Sequence, residues 1–177
     1  MPRCAFAARF CWTCGGNADH PDHALRCAVA QAYQVGLRRS RRCRQQGRTH
    51  RHHWTPTLAA QRHTDGMSAL AEWWVAHTLD RRWLSAESEG PDDPDTGDVE
   101  GGIQVRWTDR PHGSLIIHDD DRDHLVGALV VNPRWPLRIV GWLPVHLAKR
   151  PCWWRTDVRE PAFFVPQAVL RPLEALP

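Results

Sequence analysis

The spacing of apolar residues changes period along this chain of 177 residues, and each change marks an element. Between residues 66 and 83, Met67, Leu70, Ala71, Trp74, Val75 and Leu79 recur three or four apart, which predicts an amphipathic helix with one apolar stripe. The segment AVAQAYQVGL over residues 28–37 predicts a second helix that runs into a cluster of arginines. From residue 103 the period shortens to two. Ile103, Val105 and Trp107 fall on one face of a predicted strand and Gln104 and Arg106 on the other. Further strands are predicted over residues 114–118, 126–132 and 137–143. The run from Gly127 to Val131 is apolar without alternation, the pattern of a central strand buried on both faces. Residues 161–167 (PAFFVPQ) predict a short aromatic edge strand closed by proline, after which Leu170, Leu173 and Leu176 anchor the terminus. Residues 85–97, acidic and rich in proline and glycine, read as a loop. Residues 119–123 (DDDRD) read as a turn or the first turn of a helix, because consecutive acids cannot all point inward. Together these elements predict an α/β (α+β) domain over residues 66–177.

Charge divides the chain at about the same place. Residues 1–65 hold eleven arginines against Asp19, Asp22 and Asp65, a net of +8, whereas residues 66–177 carry a net of −5 within an overall +3. The chain is therefore expected to comprise a basic, Cys/His-rich N-terminal region over 1–65 and a domain over 66–177. Within the first, Arg38, Arg39, Arg41, Arg42 and Arg44 form a dense cluster continued by Arg48 and Arg51. Such density repels itself and resists packing, and a polyanion such as DNA is its natural partner through counterion release. These arginines are the candidate nucleic-acid contacts; a solvated basic tail is the plainer alternative. No apolar run approaches the ~18 residues that span a bilayer, and no secretory pattern opens the chain, so a cytoplasmic protein without a membrane partner is expected. Six cysteines in that setting suggest thiols or metal ligands before disulfides. The 22 arginines beside a single lysine, Lys149, reflect a GC-rich coding sequence. Most of the ten tryptophans are expected in the core or in pocket walls, a few as stacking surfaces.

A metal-ligand pattern lies inside the basic region. Cys11-x2-Cys14-Gly15 has the form of a zinc knuckle, in which the glycine permits the tight turn that aims backbone N–H groups at thiolate sulfur. His23 and Cys27 follow, four residues apart and so suited to one face of a short helix, with His20 as an alternative third ligand. Four such ligands suffice for a closed tetrahedral Zn²⁺ site. Cys4, Cys43 and Cys152 have no evident partners in the sequence.

The densest chemistry is the stretch GDVEGGIQVRW over residues 97–107. An acid, Asp98, precedes a two-glycine turn, and the strand after it brings an amide oxygen and a guanidinium to one face. With Glu72 on the preceding helix, Gly141-Trp142 and the tail Val165-Pro166-Gln167-x2-Leu170, this order of motifs resembles the PD-(D/E)xK nuclease superfamily, and within it a group common in phages and actinobacteria. The resemblance covers about two thirds of the chain. It implies the restriction-endonuclease-like fold, a mixed sheet flanked by helices, and metal-assisted hydrolysis of phosphodiester bonds in DNA. Asp98, the side-chain oxygen of Gln104 and the carbonyl of Val105 then hold Mg²⁺ or Mn²⁺, as hard cations prefer oxygen. Arg106 binds the phosphate, and Glu72 orients a metal-bound water. Pairing of two copies is implied for cutting both strands.

Two positions depart from the usual pattern of that superfamily. Gln104 for glutamate removes a negative charge, and Arg106 for lysine removes any general base at that position, because a guanidinium stays protonated. The base then falls to a metal-bound water, to Glu100 or to the substrate phosphate, with Asp95 as an auxiliary metal ligand. A plainer arrangement pairs Arg106 with Asp98 or Glu100 and leaves Glu72 on the surface of its helix. The competing functional class is a catalytically degenerate nucleic-acid-binding or accessory protein.

Overall fold

A computed structural model describes residues 15, 20, 22–47, 57–84 and 95–176. It divides into two compact units, residues 1–70 and residues 71–177. Cys4, Cys11, Cys14, Arg48 and Arg51 lie outside the described residues, as do most of the acids of the loop over 85–97.

The first unit contains helix α1 (His23–Gln45) and the start of α2 (Leu58–Thr78). α1 continues through the arginine cluster rather than stopping before it. Arginine is a good helix former, Arg42 and Arg44 fall in the last turn, where cations suit the helix dipole, and Arg44 donates to the buried Ser40 hydroxyl at 2.6 Å. The buried positions of α1 are Cys27, Ala32, Gly36 and Ser40, all small. Gly36 shows why: a Cβ there would lie 2.2 Å from the Asp65 carbonyl oxygen, so the α1 and α2 backbones meet at this point.

α2 begins eight residues before the predicted helix because Thr57 caps it, its hydroxyl accepting from the Ala60 N–H at 3.1 Å. It ends at Thr78 rather than near Trp83. Asp80 takes a left-handed conformation (φ 52°), its N–H donates to the His77 carbonyl and that of Arg81 to the Ala76 carbonyl, a Schellman ending. Met67, Leu70, Ala71 and Val75 of the predicted stripe are buried.

The second unit is an α+β domain built on two small sheets. In one, β1 (Ile103–Thr108) runs parallel to β3 (Val126–Val131), which pairs antiparallel with β4 (Arg138–Pro144). In the other, β2 (Leu115–Ile117) and β5 (Trp154–Arg155) flank β6 (Ala162–Val165), all antiparallel. β3 is central and buried, as its unbroken apolar run predicts. The aromatic strand β6 is interior to its sheet rather than at an edge, because β5, two residues long and unmarked in the sequence, covers its second side. Leu115, Ile117, Leu129, Val131, Phe163 and Val165 form the core between the sheets, with Val145 and Ala148 from the short helix α3 (Val145–Ala148). Among the described residues no helix is long and apolar enough to cross a membrane.

Candidate active site at the free edge of the first strand

β1 has a sheet neighbour on one side only, so alternate backbone groups along its other side need partners from elsewhere. The preceding residues supply them. Gly101 and Gly102 adopt left-handed conformations (φ 91° and 70°) and turn the chain back on itself. Ile103 N–H then donates to the Val99 carbonyl at 3.1 Å, and the Ile103 carbonyl accepts from Asp98 and Val99 at 2.8 and 3.0 Å. The next outward donor, the Val105 N–H, is met by the Asp98 carboxylate at 2.7 Å, a short charge-assisted bond. A strand residue's N–H and C=O leave on the same side. The Val105 carbonyl therefore opens onto the same edge as the Asp98 carboxylate.

Gln104 and Arg106 share a face, as the alternation predicts. Their register partners are Gly127 and Leu129, which puts that face on the side of the second sheet. Arg106 is tied down there: its Nε donates to the Ile116 carbonyl at 3.2 Å and its Nη2 to both carboxylate oxygens of Asp121 at 2.9 Å. With the Gln104 amide oxygen turned to the guanidinium, the orientation that satisfies both groups, it accepts from Nη2 and Nη1 at 3.0 and 3.2 Å. The partner of Arg106 is thus Asp121, not Asp98 or Glu100 as the plainer arrangement has it. Glu100 turns away, its carboxylate accepting from the Arg82 N–H at 3.3 Å, and the Asp95 carboxylate pairs with Arg122 at 2.7 Å.

Glu72 is 4% exposed rather than a surface residue. Its carboxylate accepts from the Trp83 indole at 3.0 Å, and Trp83 bridges to Val99, the neighbour of Asp98. The helix glutamate therefore reaches the backbone beside Asp98 through one tryptophan.

Two residues of this arrangement were not singled out by sequence reasoning. Asp121 is the one acid of the run over 119–123 that points inward; it also accepts from the His118 N–H at 2.9 Å. Lys149, immediately after α3, gathers the same turn from outside. Its ammonium donates to the carbonyls of Asp119 and Asp121 at 2.9 and 2.6 Å and to the Asp123 carboxylate at 2.7 Å. The Lys149 hydrogen bond, then its charge, holds the Asp123 carboxyl below the usual carboxylate range, with His146 and His124 adding to the effect. The only signals available beforehand were the acid run itself and the rarity of lysine.

The remaining motifs of the resemblance lie apart from this edge. The Trp142 N–H and C=O pair with the backbone of Arg171, and its indole donates to the Pro172 carbonyl at 2.9 Å. A Cβ on Gly141 would lie 2.4 Å from the Arg171 carbonyl oxygen. The Gln167 amide donates to the carbonyls of Pro111 and Gly113, both at 2.9 Å. These residues fasten the C-terminal tail.

In the first unit, Arg38, Arg39, Arg41, Arg42 and Arg44 all lie in the second half of α1. Of the expected zinc ligands, His23 and Cys27 meet one helical turn apart, Nε2 to Sγ 3.2 Å, whereas Cys11 and Cys14 lie outside the described residues. The alternative ligand His20 bonds instead to the Asp22 N–H through Nδ1 at 3.1 Å. None of Cys27, Cys43 and Cys152 forms a disulfide. Among the described residues, no group of three or more His, Cys, Asp or Glu side chains converges as a metal site. No family model, curated protein or solved structure matches this chain.

Proposed function

We propose that residues 66–177 hydrolyse phosphodiester bonds in DNA with a divalent cation, by a site of the PD-(D/E)xK type on a restriction-endonuclease-like domain. The observation that carries this reading is on β1: the Asp98 carboxylate meets the outward N–H of Val105, the residue between Gln104 and Arg106, whose side chains bond to each other. The donor set fits a hard cation, with one qualification of charge. It offers one formal negative charge and neutral oxygens, and the Gln104 oxygen faces Arg106. Mg²⁺ is commonly held by one or two carboxylates together with substrate phosphate, so this edge suits an ion that binds with the nucleic acid rather than before it. When bound, the ion supplies polarisation of the phosphate and a more acidic water.

The chain's own residues divide the remaining work. Asp98 provides the anchoring carboxylate. Gln104 and Asp121 fix the Arg106 guanidinium in one orientation, and Arg106 binds the phosphate and stabilises the charge that grows on it. Glu72, fixed by Trp83, steadies the segment that carries Asp98. The arginines of α1 add sequence-independent affinity, and a Zn²⁺, when bound, would take Cys11, Cys14, His23 and Cys27 as its ligands. Purified protein should nick supercoiled plasmid with Mg²⁺ or Mn²⁺, and Asp98→Ala should lower the rate at least about a hundredfold while retaining DNA binding. Nicking that survives Asp98→Ala refutes the assignment.

One observation favours a second reading, a DNA-binding protein without catalysis. Asp121 neutralises Arg106, which lowers the pull of that guanidinium on a phosphate. DNA binding without nicking under either cation selects that reading.

A further inference from the structure

Four aromatic rings gather where the end of α2 meets the loop between β3 and β4. Trp73 and His77 lie nearly parallel, 7° apart with centroids at 5.0 Å. Trp74 meets Trp135 edge-on at 4.7 Å, and Trp73 meets Trp135 at 6.3 Å. This group stands outside the core between the sheets. His77 is exposed and Trp135 keeps 36% of its surface open.

The indole nitrogens set these rings apart from Trp83, Trp107 and Trp142 and group them with Trp153 and Trp154, which also donate to no acceptor among the described residues. Those of Trp83, Trp107 and Trp142 donate to Glu72, Asn132 and Pro172. Those of Trp73, Trp74 and Trp135 donate to no protein acceptor among the described residues. Indoles built into a core usually satisfy that donor; among the described residues the three of this cluster do not.

The loop that carries Trp135 is held in place. Pro133 and Pro136 restrict its backbone, Asn132 donates its side-chain amide to the Pro136 carbonyl at 3.2 Å, and the Asn132 carbonyl receives the Trp107 indole at 3.0 Å. Its one charged residue is Arg134, exposed and adjacent to Trp135. A fixed aromatic surface with N–H donors and a neighbouring guanidinium is complementary to an unstacked nucleobase and the phosphate beside it.

We infer that the Trp73–Trp74–His77–Trp135 cluster is a stacking platform for an unpaired base, which assigns single-stranded or flapped nucleic acid as the substrate class. This inference rests on the nucleic-acid reading of the domain and names the structure that domain prefers. Rings stack on any base, so the platform selects for unpaired strands and not for sequence.

The test measures binding by fluorescence anisotropy of the full chain in EDTA, so that cleavage plays no part, with a labelled single strand and with its duplex. Trp135→Ala should weaken single-strand binding about tenfold and leave duplex binding within about twofold, since phosphate contacts carry the latter. Trp135→Phe should recover most of the loss. Trp154→Ala, which removes an indole 37% exposed elsewhere, should change neither affinity. Equal losses on both substrates, no loss from Trp135→Ala, or no recovery with phenylalanine in a variant that melts as the native protein does overturns the platform. Failure of the native chain to bind either substrate overturns the nucleic-acid reading together with it. Binding without dependence on Trp135 overturns the platform alone.

Discussion

Trp142 and Gln167 at the C-terminal clamp differ from Gln104 and Arg106 at the β1 edge in what their polar atoms bind. The indole of Trp142 and the amide nitrogen of Gln167 go to backbone carbonyls. Arg106 directs its charge to a carboxylate and donates to the Gln104 amide oxygen, with one further bond to the Ile116 carbonyl. Both pairs belong to motifs of the same resemblance, yet bonds to backbone close the chain on itself and leave nothing to exchange. An ion pair between side chains can trade one anion for another. On the proposed function, that contrast puts the clamp on the side of stability and the β1 residues on the side of binding, and each half can be broken.

The largest effect is expected from the clamp. Trp142 is 3% exposed, and Trp142→Ala should cost about 3–5 kcal/mol of stability by the general cost of emptying a buried aromatic site. Chemical denaturation measures this directly. DNA affinity, measured where the variant remains folded, should be unchanged. A small stability loss with a large affinity loss would move Trp142 into the binding site.

Asp121→Asn tests the other half of the contrast and carries a smaller stability cost. The amide keeps the shape but can accept through one oxygen only, where the carboxylate receives Arg106 and the His118 N–H through both. A lost partner in a fully buried ion pair costs about 3–5 kcal/mol. Here Arg106 keeps 27% of its side chain exposed, so about 1–3 kcal/mol is expected. DNA binding should respond in the opposite direction, tightening as Arg106 loses its internal counter-charge, with the salt dependence steepening by about one phosphate contact. Asp121→Asn/Arg106→Ala should remove that gain. Unchanged affinity in Asp121→Asn makes the pair purely structural.

The parts of the fold that could be read beforehand are those set by local periodicity. β1 and β3 fall within a residue or two of the alternating and unbroken apolar runs that predict them, and Gln104 and Arg106 share a face for the same reason. The ends of α2 were legible only as caps: Thr57 at its start and left-handed Asp80 at its end, neither of which lies on the apolar stripe. β6 was misplaced at an edge because its second neighbour is two residues long and carries no pattern. The choice among Asp119, Asp120 and Asp121 was illegible, since the three are chemically identical and only the tertiary turn decides which one meets Arg106. The resemblance pointed to Glu72, Asp98, Gln104 and Arg106 but not to the carboxylate that neutralises Arg106, 15 residues further along the chain.

Lys149 offers the finest test, because it acts on the β1 edge only through the turn that positions Asp121. Lys149→Met should cost about 1–2 kcal/mol near neutral pH through the two carbonyl bonds, with a further contribution from Asp123. That contribution has a definite pH signature. Asp123 is more acidic in the folded chain than in the unfolded one, so its stabilisation is complete above the usual carboxylate range and disappears as the pH falls through its lowered folded pKa. The difference in melting temperature between native protein and Lys149→Met should therefore narrow on acidification without closing, since the carbonyls of Asp119 and Asp121 still hold the ammonium. In an Asp123→Asn background the difference should lose this pH dependence and keep its acid-limb size. A pH-independent gap in the native background would show that Lys149 holds the turn through backbone alone, which would place it with the clamp on the stability side of the contrast.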